Sequence, residues 1–355
     1  MFSKASSSPK IGEYVGKTVE RMILTGTRES SNDSSSSSNI RQKEARLIKI
    51  DTTQFLYSVV FLADGKHVVS GGEERKIRRW RVENGEEVGT PMNAGGVVYN
   101  IAVSRDGKWL IGGTDSGWVV WHAESHSKMI GFKGHHTWVY AVDVSPDGTK
   151  IATGSDDKTV CVWSLSTGKQ LLGPFKHVNT VSAAKFSPDG RLIATATWCA
   201  HSVRVYDSQN GHFLVEFPIK VNSFQNQSLA WARDNKQLFV LSRDGNIHCL
   251  DVSTRKTLSR WRHDNNVIGT QCIALANNGA FIAASSLSSV SFWDTTTHKK
   301  IECVIHHTAD ISSKAISSDH DHVTAGGKEI TIRNLRDVLP SPYCDDVSAN
   351  VHCVR

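Results

Sequence analysis

Three side chains near the middle of the chain, His135, Thr153 and Asp157, are of the types that build a hydrolytic triad: a base, a hydroxyl and an orienting carboxylate. A second group, Asp319-His320-Asp321-His322, has the composition of a metal site. Two histidines two residues apart on a strand share a face, and carboxylates flank them. Cys199 with His201 and the pair His306-His307 complete the candidates. Each competes with a structural explanation set by the elements around it. No phosphate-binding glycine loop, nucleophile elbow, zinc-protease motif or kinase signature accompanies them. The expectation is a chain that is not an enzyme and that carries no cofactor and no metal.

The elements that must position these groups are clearest from Gly134 to Trp163. A Gly-His pair is followed by the alternating run VYAVDV, a turn at Ser145-Pro146-Asp147-Gly148, a second alternating run TKIATG, a turn at Asp156-Asp157-Lys158, and TVCVW. Alternation with period two, broken by such turns, predicts three short antiparallel strands joined by hairpins. A fourth strand is expected at Lys169–Leu172.

The same pattern recurs along the chain. The position of Trp163 is held in turn by Trp80, Trp121, Trp163, Tyr206, Leu250, Trp293 and Arg333, at spacings of 40 to 44 residues. The first hairpin turn recurs as Asp64-Gly65, Asp106-Gly107, Asp147-Gly148, Asp189-Gly190, Asp234-Asn235, Asn278-Gly279 and Asp319-His320. The ligand-like Asp319–His322 cluster therefore reads as a solvated turn. One four-stranded unit per period of about 40–45 residues is the mark of a propeller blade. On these seven copies, over residues 45–338, the chain resembles the WD40-repeat family, which implies an all-β, seven-bladed propeller.

The resemblance implies that His135, Thr153, Asp157 and Trp163 form a buried hydrogen-bonded tetrad within the third repeat, rather than a triad. Their donors and acceptors can satisfy one another, whereas an unpaired buried polar group costs about 1–3 kcal/mol. Other repeats depart from the pattern. The second keeps Asp115 and Trp121 but reads Ile111 at the hydroxyl position, and the fourth ends in Tyr206. The last repeat shows three strands before Pro340 and Pro342. Leu47–Ile50 is expected to supply its missing outer strand and so close the ring, removing an open edge.

With catalysis set aside, surface remains. The position just inside the first strand of each repeat reads Tyr57, Tyr99, Tyr140, Ser182, Gln227, Gln271 and Ser312. Two residues earlier stand Phe55, Val97, Trp138, Thr180, Gln225, Gly269 and Asp310. In the family these positions lie near the top face, around the central channel. Phe55, Tyr57, Tyr99, Trp138 and Tyr140 are thus either a partner-binding sector or rings packed between blades as core. The leading reading is an interaction scaffold holding a peptide or protein there, as a monomer or as part of a larger complex. The alternatives are a protein associated with RNA or ribosome assembly, working through the basic run Arg75–Arg81, and a substrate receptor of a ubiquitin ligase. Receptors of that kind often show Trp-Asp-x-Arg, and Trp293-Asp294-Thr295-Thr296 lacks the Arg.

Composition sets the remaining expectations. The formal net charge is +6, and the tight basic cluster at 75–81 otherwise reads as solvated arginines on a strand. Seven cysteines, an odd number without Cys-x-x-Cys, point to a reducing, intracellular compartment, cytoplasmic or nuclear. Residues 1–44 form an extension with helical spacing at Ile11, Tyr14, Val15, Val19, Met22 and Ile23, then a serine-rich linker. Residues 339–355 read as a C-terminal tail. The first residues lack the apolar core of a signal peptide, and no apolar run is long enough to span a bilayer.

Overall fold

Alternating apolar residues and tight turns give this chain strands throughout. A computed structural model describes residues 47–343, apart from 133, 222–226, 264–270, 309 and 320. The 1–44 extension, Cys344 and Cys353 lie outside the described residues. The strands form seven four-stranded antiparallel sheets, the blades of a propeller. Blade three shows the unit: Val139–Val144, Lys150–Ser155, Thr159–Ser164 and Gln170–Lys176. Its outer strand runs four residues beyond the expected Leu172.

Register confirms the repeat alignment residue by residue. Trp80 faces Val68, Trp121 faces Leu110, Trp163 faces Ile151, Tyr206 faces Ile193, Leu250 faces Leu238, Trp293 faces Ile282 and Arg333 faces Val323. The first hairpins turn through residues with positive φ at Gly65, Gly107, Gly148, Gly190, Asn235 and Gly279. That conformation favours glycine or asparagine, which explains the recurring Asp-Gly and Asp-Asn pairs.

Closure is made by the segment before the first repeat. Leu47–Asp51 pairs antiparallel with Glu329–Asn334, which makes it the outer strand of blade seven. Ile50 is buried with Ile330 and Ile332, while Leu47 stays exposed. Around the channel, side chains of inner strands reach the next blade. Ser313 Oγ accepts from the Val59 N–H, Ser58 Oγ from Ile101 and Asn100 Oδ1 from Val142. These bonds link blades seven, one, two and three.

Two further details differ from the sequence reading. In blade two the residue in register with Thr153 is Gly112, which faces Val119, whereas Ile111 faces Val120. The turn there is one residue shorter than in blade three, so counting ten back from the Trp overshoots. Asp115 consequently matches Asp156 rather than Asp157. Beyond residue 338 the chain still packs: Leu339 and Tyr343 lie against the blade-six cluster, and the Tyr343 hydroxyl donates to Asp294 Oδ2 at 2.9 Å.

Candidate functional site

In blades one to four the first strand carries a β-bulge at one repeated position. Leu56 pairs with Gly72 and Ser58 with Gly71, leaving Tyr57 without a partner of its own. The same shift leaves out Tyr99, Tyr140 and Ser182. A bulge adds one residue and re-aims its side chain. Here it turns the rings of Tyr57, Tyr99 and Tyr140 toward one another and toward Phe55 and Trp138 on the segments leading into blades one and three.

The result is a continuous chain of rings. Centroid separations are 5.3 Å for Phe55–Tyr57, 5.5 Å for Tyr57–Tyr99, 5.8 Å for Tyr99–Trp138 and 4.9 Å for Tyr99–Tyr140. Trp138 meets Tyr140 edge-on at 6.1 Å. The five rings are not equally open. Tyr140 is 2% exposed and Tyr99 8%, whereas Phe55, Tyr57 and Trp138 are partly exposed. Tyr99 and Tyr140 therefore form a buried floor against which Tyr57 and Trp138 lie, and Phe55 joins the row through Tyr57.

A second row borders the rings: the first residue of the turn between second and third strands. It reads Glu73, Asp115 and Asp156 in blades one to three, and Trp198 in blade four. Its backbone N–H donates to the carbonyl of the lead-in residue, Phe55, Val97, Trp138 and Thr180 respectively. The same bond thus holds each acid beside an aromatic segment. The Tyr57 hydroxyl donates to Glu73 Oε1 at 3.2 Å. Burial, reinforced by the charges of Asp115, Asp156 and Glu73, pushes the Tyr99 phenol up to about 12. Burial and Glu73 push Tyr57 up as well. The sequence held this acid row, but matching Asp115 to Asp157 concealed it. Next to it, Thr52, Thr53, Gln54, Phe55, Glu73 and Lys328 line an open depression of about 650 Å³.

Blade three brings its four polar residues together. Trp163 Nε1 donates to Thr153 Oγ1 at 2.7 Å, His135 Nε2 lies 2.6 Å from the same oxygen, and His135 Nδ1 lies 2.9 Å from Asp157 Oδ2. One arrangement satisfies all: indole to hydroxyl, hydroxyl to Nε2, and Nδ1–H to carboxylate. Burial alone would raise the Asp157 carboxyl, but hydrogen bonds from His135, Thr159 and the His136 N–H outweigh it and hold the group well below its usual range. The His135 side chain is fully buried, so no substrate reaches this hydroxyl. Gly134 is needed beside it, since a Cβ there would stand 2.1 Å from the Trp163 ring.

The remaining candidates disperse. Asp321 pairs with Arg336, Asp319 accepts from Ser317, and His320 lies outside the described residues. Among the described residues no three His, Cys, Asp or Glu side chains converge as metal ligands would. In the basic run, Lys76 and Arg78 pair with Glu74, Arg78 also with Glu87, Arg79 with Asp64 and Arg81 with Glu86. Among the described residues no helix is long and apolar enough to cross a membrane.

Comparison with known proteins agrees with this geometry. The family model for the WD domain, G-beta repeat, matches residues 47–81, 127–164 and 169–207. Seven blades of this register, with a His-Thr-Asp-Trp tetrad in the best-formed one, define a WD40-type propeller. The chain belongs to the WD40-repeat proteins. It is 27% identical over 288 residues to eukaryotic translation initiation factor 3 subunit I of Brugia malayi, covering 79% of this chain and 75% of that one. It is 23% identical over 252 residues to protein tipD of Dictyostelium discoideum, covering 70% and 41%. It is 31% identical over 113 residues to protein groucho of Drosophila melanogaster, covering 30% and 15%. The chain thus spans well under half the length of several relatives it matches.

Proposed function

We propose that this propeller is a non-enzymatic interaction scaffold that holds a peptide or protein partner on the top face of blades one to three. The top face is the one bearing the turns between second and third strands. Phe55, Tyr57 and Trp138 provide the contact surface, with Tyr99 and Tyr140 beneath them. One observation carries this reading: bulges repeated in three successive blades gather five aromatic rings at one sector, and three of the rings keep solvent access. Partly exposed aromatic clusters are where interface energy concentrates. Membership of a family whose relatives include a named subunit of an initiation factor supports an assembly role. The run Arg75–Arg81 does not favour an RNA-binding reading, because Lys76, Arg78, Arg79 and Arg81 already have carboxylates within 4 Å.

The test is a Phe55→Ser, Trp138→Ser double variant, which leaves the buried floor intact. After its melting temperature is shown to lie near the parent's, partners co-purifying with each protein are compared. Loss of a specific partner from the variant is the expected result. A folded variant that retains every partner would overturn the reading.

A further inference from the structure

The aromatic sector carries more than apolar area, because three carboxylates rim it. Glu73, Asp115 and Asp156 occupy one repeated position, fixed by the same backbone bond to the lead-in carbonyl of each blade. Among the described residues most other acids near a basic side chain are paired: Glu74 and Glu87 with Arg78, Glu216 with Arg204, Glu329 with Lys49. Among the described residues none of Glu73, Asp115 and Asp156 has a Lys, Arg or His nitrogen within 4.0 Å. Their visible side-chain partners are neutral hydroxyls, Tyr57 for Glu73 and Thr180 for Asp156. Asp115 Oδ1 lies over Gly96, where a Cβ would stand 1.9 Å away, so the carboxylate rests directly on the backbone of the rim.

Blade four marks the boundary of this arrangement. There the bulge holds Ser182 and the turn holds Trp198. In blade five the turn residue is Arg243, and in blade six Leu287. Among the described residues acid and aromatic occur together in blades one, two and three alone. A ring face attracts a cation through its quadrupole, and the attraction grows when carboxylates stand nearby and water is partly excluded. The cationic group lining the adjoining depression is Lys328, whose backbone carbonyl accepts from Thr52 while its side chain is exposed.

From these juxtapositions we infer that the top face of blades one to three is a receptor for a lysine or arginine side chain on a basic peptide segment. The cation sits against the partly exposed rings of Phe55, Tyr57 and Trp138, and Glu73, Asp115 and Asp156 supply the opposite charge. The inference rests on the proposed interaction surface and names its partner's chemistry. It does not follow from the field of the whole molecule. The formal net charge of +6 repels a basic peptide, so attraction has to be local.

The experiment uses the full chain and fluorescently labelled peptides of ten residues, alternating Gly-Arg and Gly-Lys, at about 150 mM salt, where surface charges beyond about 8 Å are screened. The control is Gly-citrulline, which keeps the shape of arginine without its charge. Anisotropy titration is expected to show binding of the cationic peptides and affinity for citrulline lower by at least about tenfold, a difference of the size that a cation over aromatic rings gives. A Glu73→Gln, Asp115→Asn, Asp156→Asn variant should lose cationic binding to the same degree while melting near the parent temperature. If the triple variant does not fold, Glu73→Gln with Asp115→Asn replaces it, and the citrulline comparison needs no variant at all.

Equal binding of arginine and citrulline peptides, or binding that survives the amide variant, overturns the inference. No binding of either cationic peptide overturns it as well. If the Phe55→Ser, Trp138→Ser variant then still loses its co-purifying partner, the surface reading stands with an apolar or neutral ligand. If that variant keeps its partner, the surface reading falls and the cation inference falls with it.

Discussion

Lys314 lies on the inner strand of blade seven, 3% exposed, with its ammonium donating to the Cys272 carbonyl and to Ser285 Oγ at 3.2 Å. Among the described residues no carboxylate lies within 4.0 Å of it. Burial pulls its pKa down to about 8. The unfolded chain keeps lysine near about 10.4, and each pKa unit is about 1.4 kcal/mol. The charged amine therefore costs the fold about 3 kcal/mol at neutral pH. The sign follows from the depressed pKa. Between about pH 8 and 10.4 the unfolded state binds the additional proton, so the penalty is present in full below pH 8 and fades as pH rises through that window.

The perturbation is Lys314→Met, which keeps the length of the side chain and removes the charge. Leaving the Cys272 carbonyl without its donor costs about 1–2 kcal/mol, so the variant should gain about 1–2 kcal/mol over the parent at pH 7. Urea denaturation of both proteins at pH 7.0 and 9.5 measures the rest. The parent should recover about 2 kcal/mol relative to the variant over that interval. Other titrating groups are common to both chains and cancel in the difference. A stability difference that stays constant with pH would refute the reasoning and mean that the fold fully compensates this ammonium.

Further outcomes follow from other parts of the propeller. Ile50→Asp places a charge at the buried seam of the closing strand and should destabilise by about 3–5 kcal/mol in urea, whereas Leu47→Asp, at a position 45% exposed, should change stability by under about 1 kcal/mol. Thr153→Val removes the shared oxygen of the tetrad, leaving the Trp163 indole and His135 Nε2 unpaired, and should cost about 2–3 kcal/mol by the same assay. Burial and the nearby Arg204 hold the His177 pKa down to about 4, so its contribution is intact above pH 6.5 and lost as pH falls toward 4. The parent should accordingly lose about 2 kcal/mol more than His177→Gln between pH 6.5 and 4.5, measured by denaturation at those two values.

Much of this molecule is written in local pattern. The Trp163 row, the Asp-Gly turns and the strand at Leu47–Asp51 follow from period-two alternation and the need of a ring to close, and the strand register matches them. What escaped depends on geometry that spacing does not carry. A turn in blade two one residue shorter than in blade three moved Asp115 to the rim and put Gly112 in the hydroxyl place. The bulges at Tyr57, Tyr99 and Tyr140 are invisible in alternation, because one extra residue leaves the apolar pattern intact on either side. Depth was equally hidden. Five rings of similar type divide into two floor residues and three partly exposed ones only after neighbouring blades are set side by side. The charges of 75–81 are also silent about their partners, since Glu86 and Glu87 reach them across a loop.

The central claim is that the aromatic sector of blades one to three touches the partner. A photoreactive benzophenone residue placed at Trp138, on the top face, and separately at Phe213, which is 55% exposed on the outer strand of blade four, tests it most directly. Irradiation in extracts of the source cells, followed by mass analysis of the adducts, should yield a specific protein cross-linked through position 138 and none through position 213. Adducts that form equally at both positions, or at 213 alone, would contradict the account.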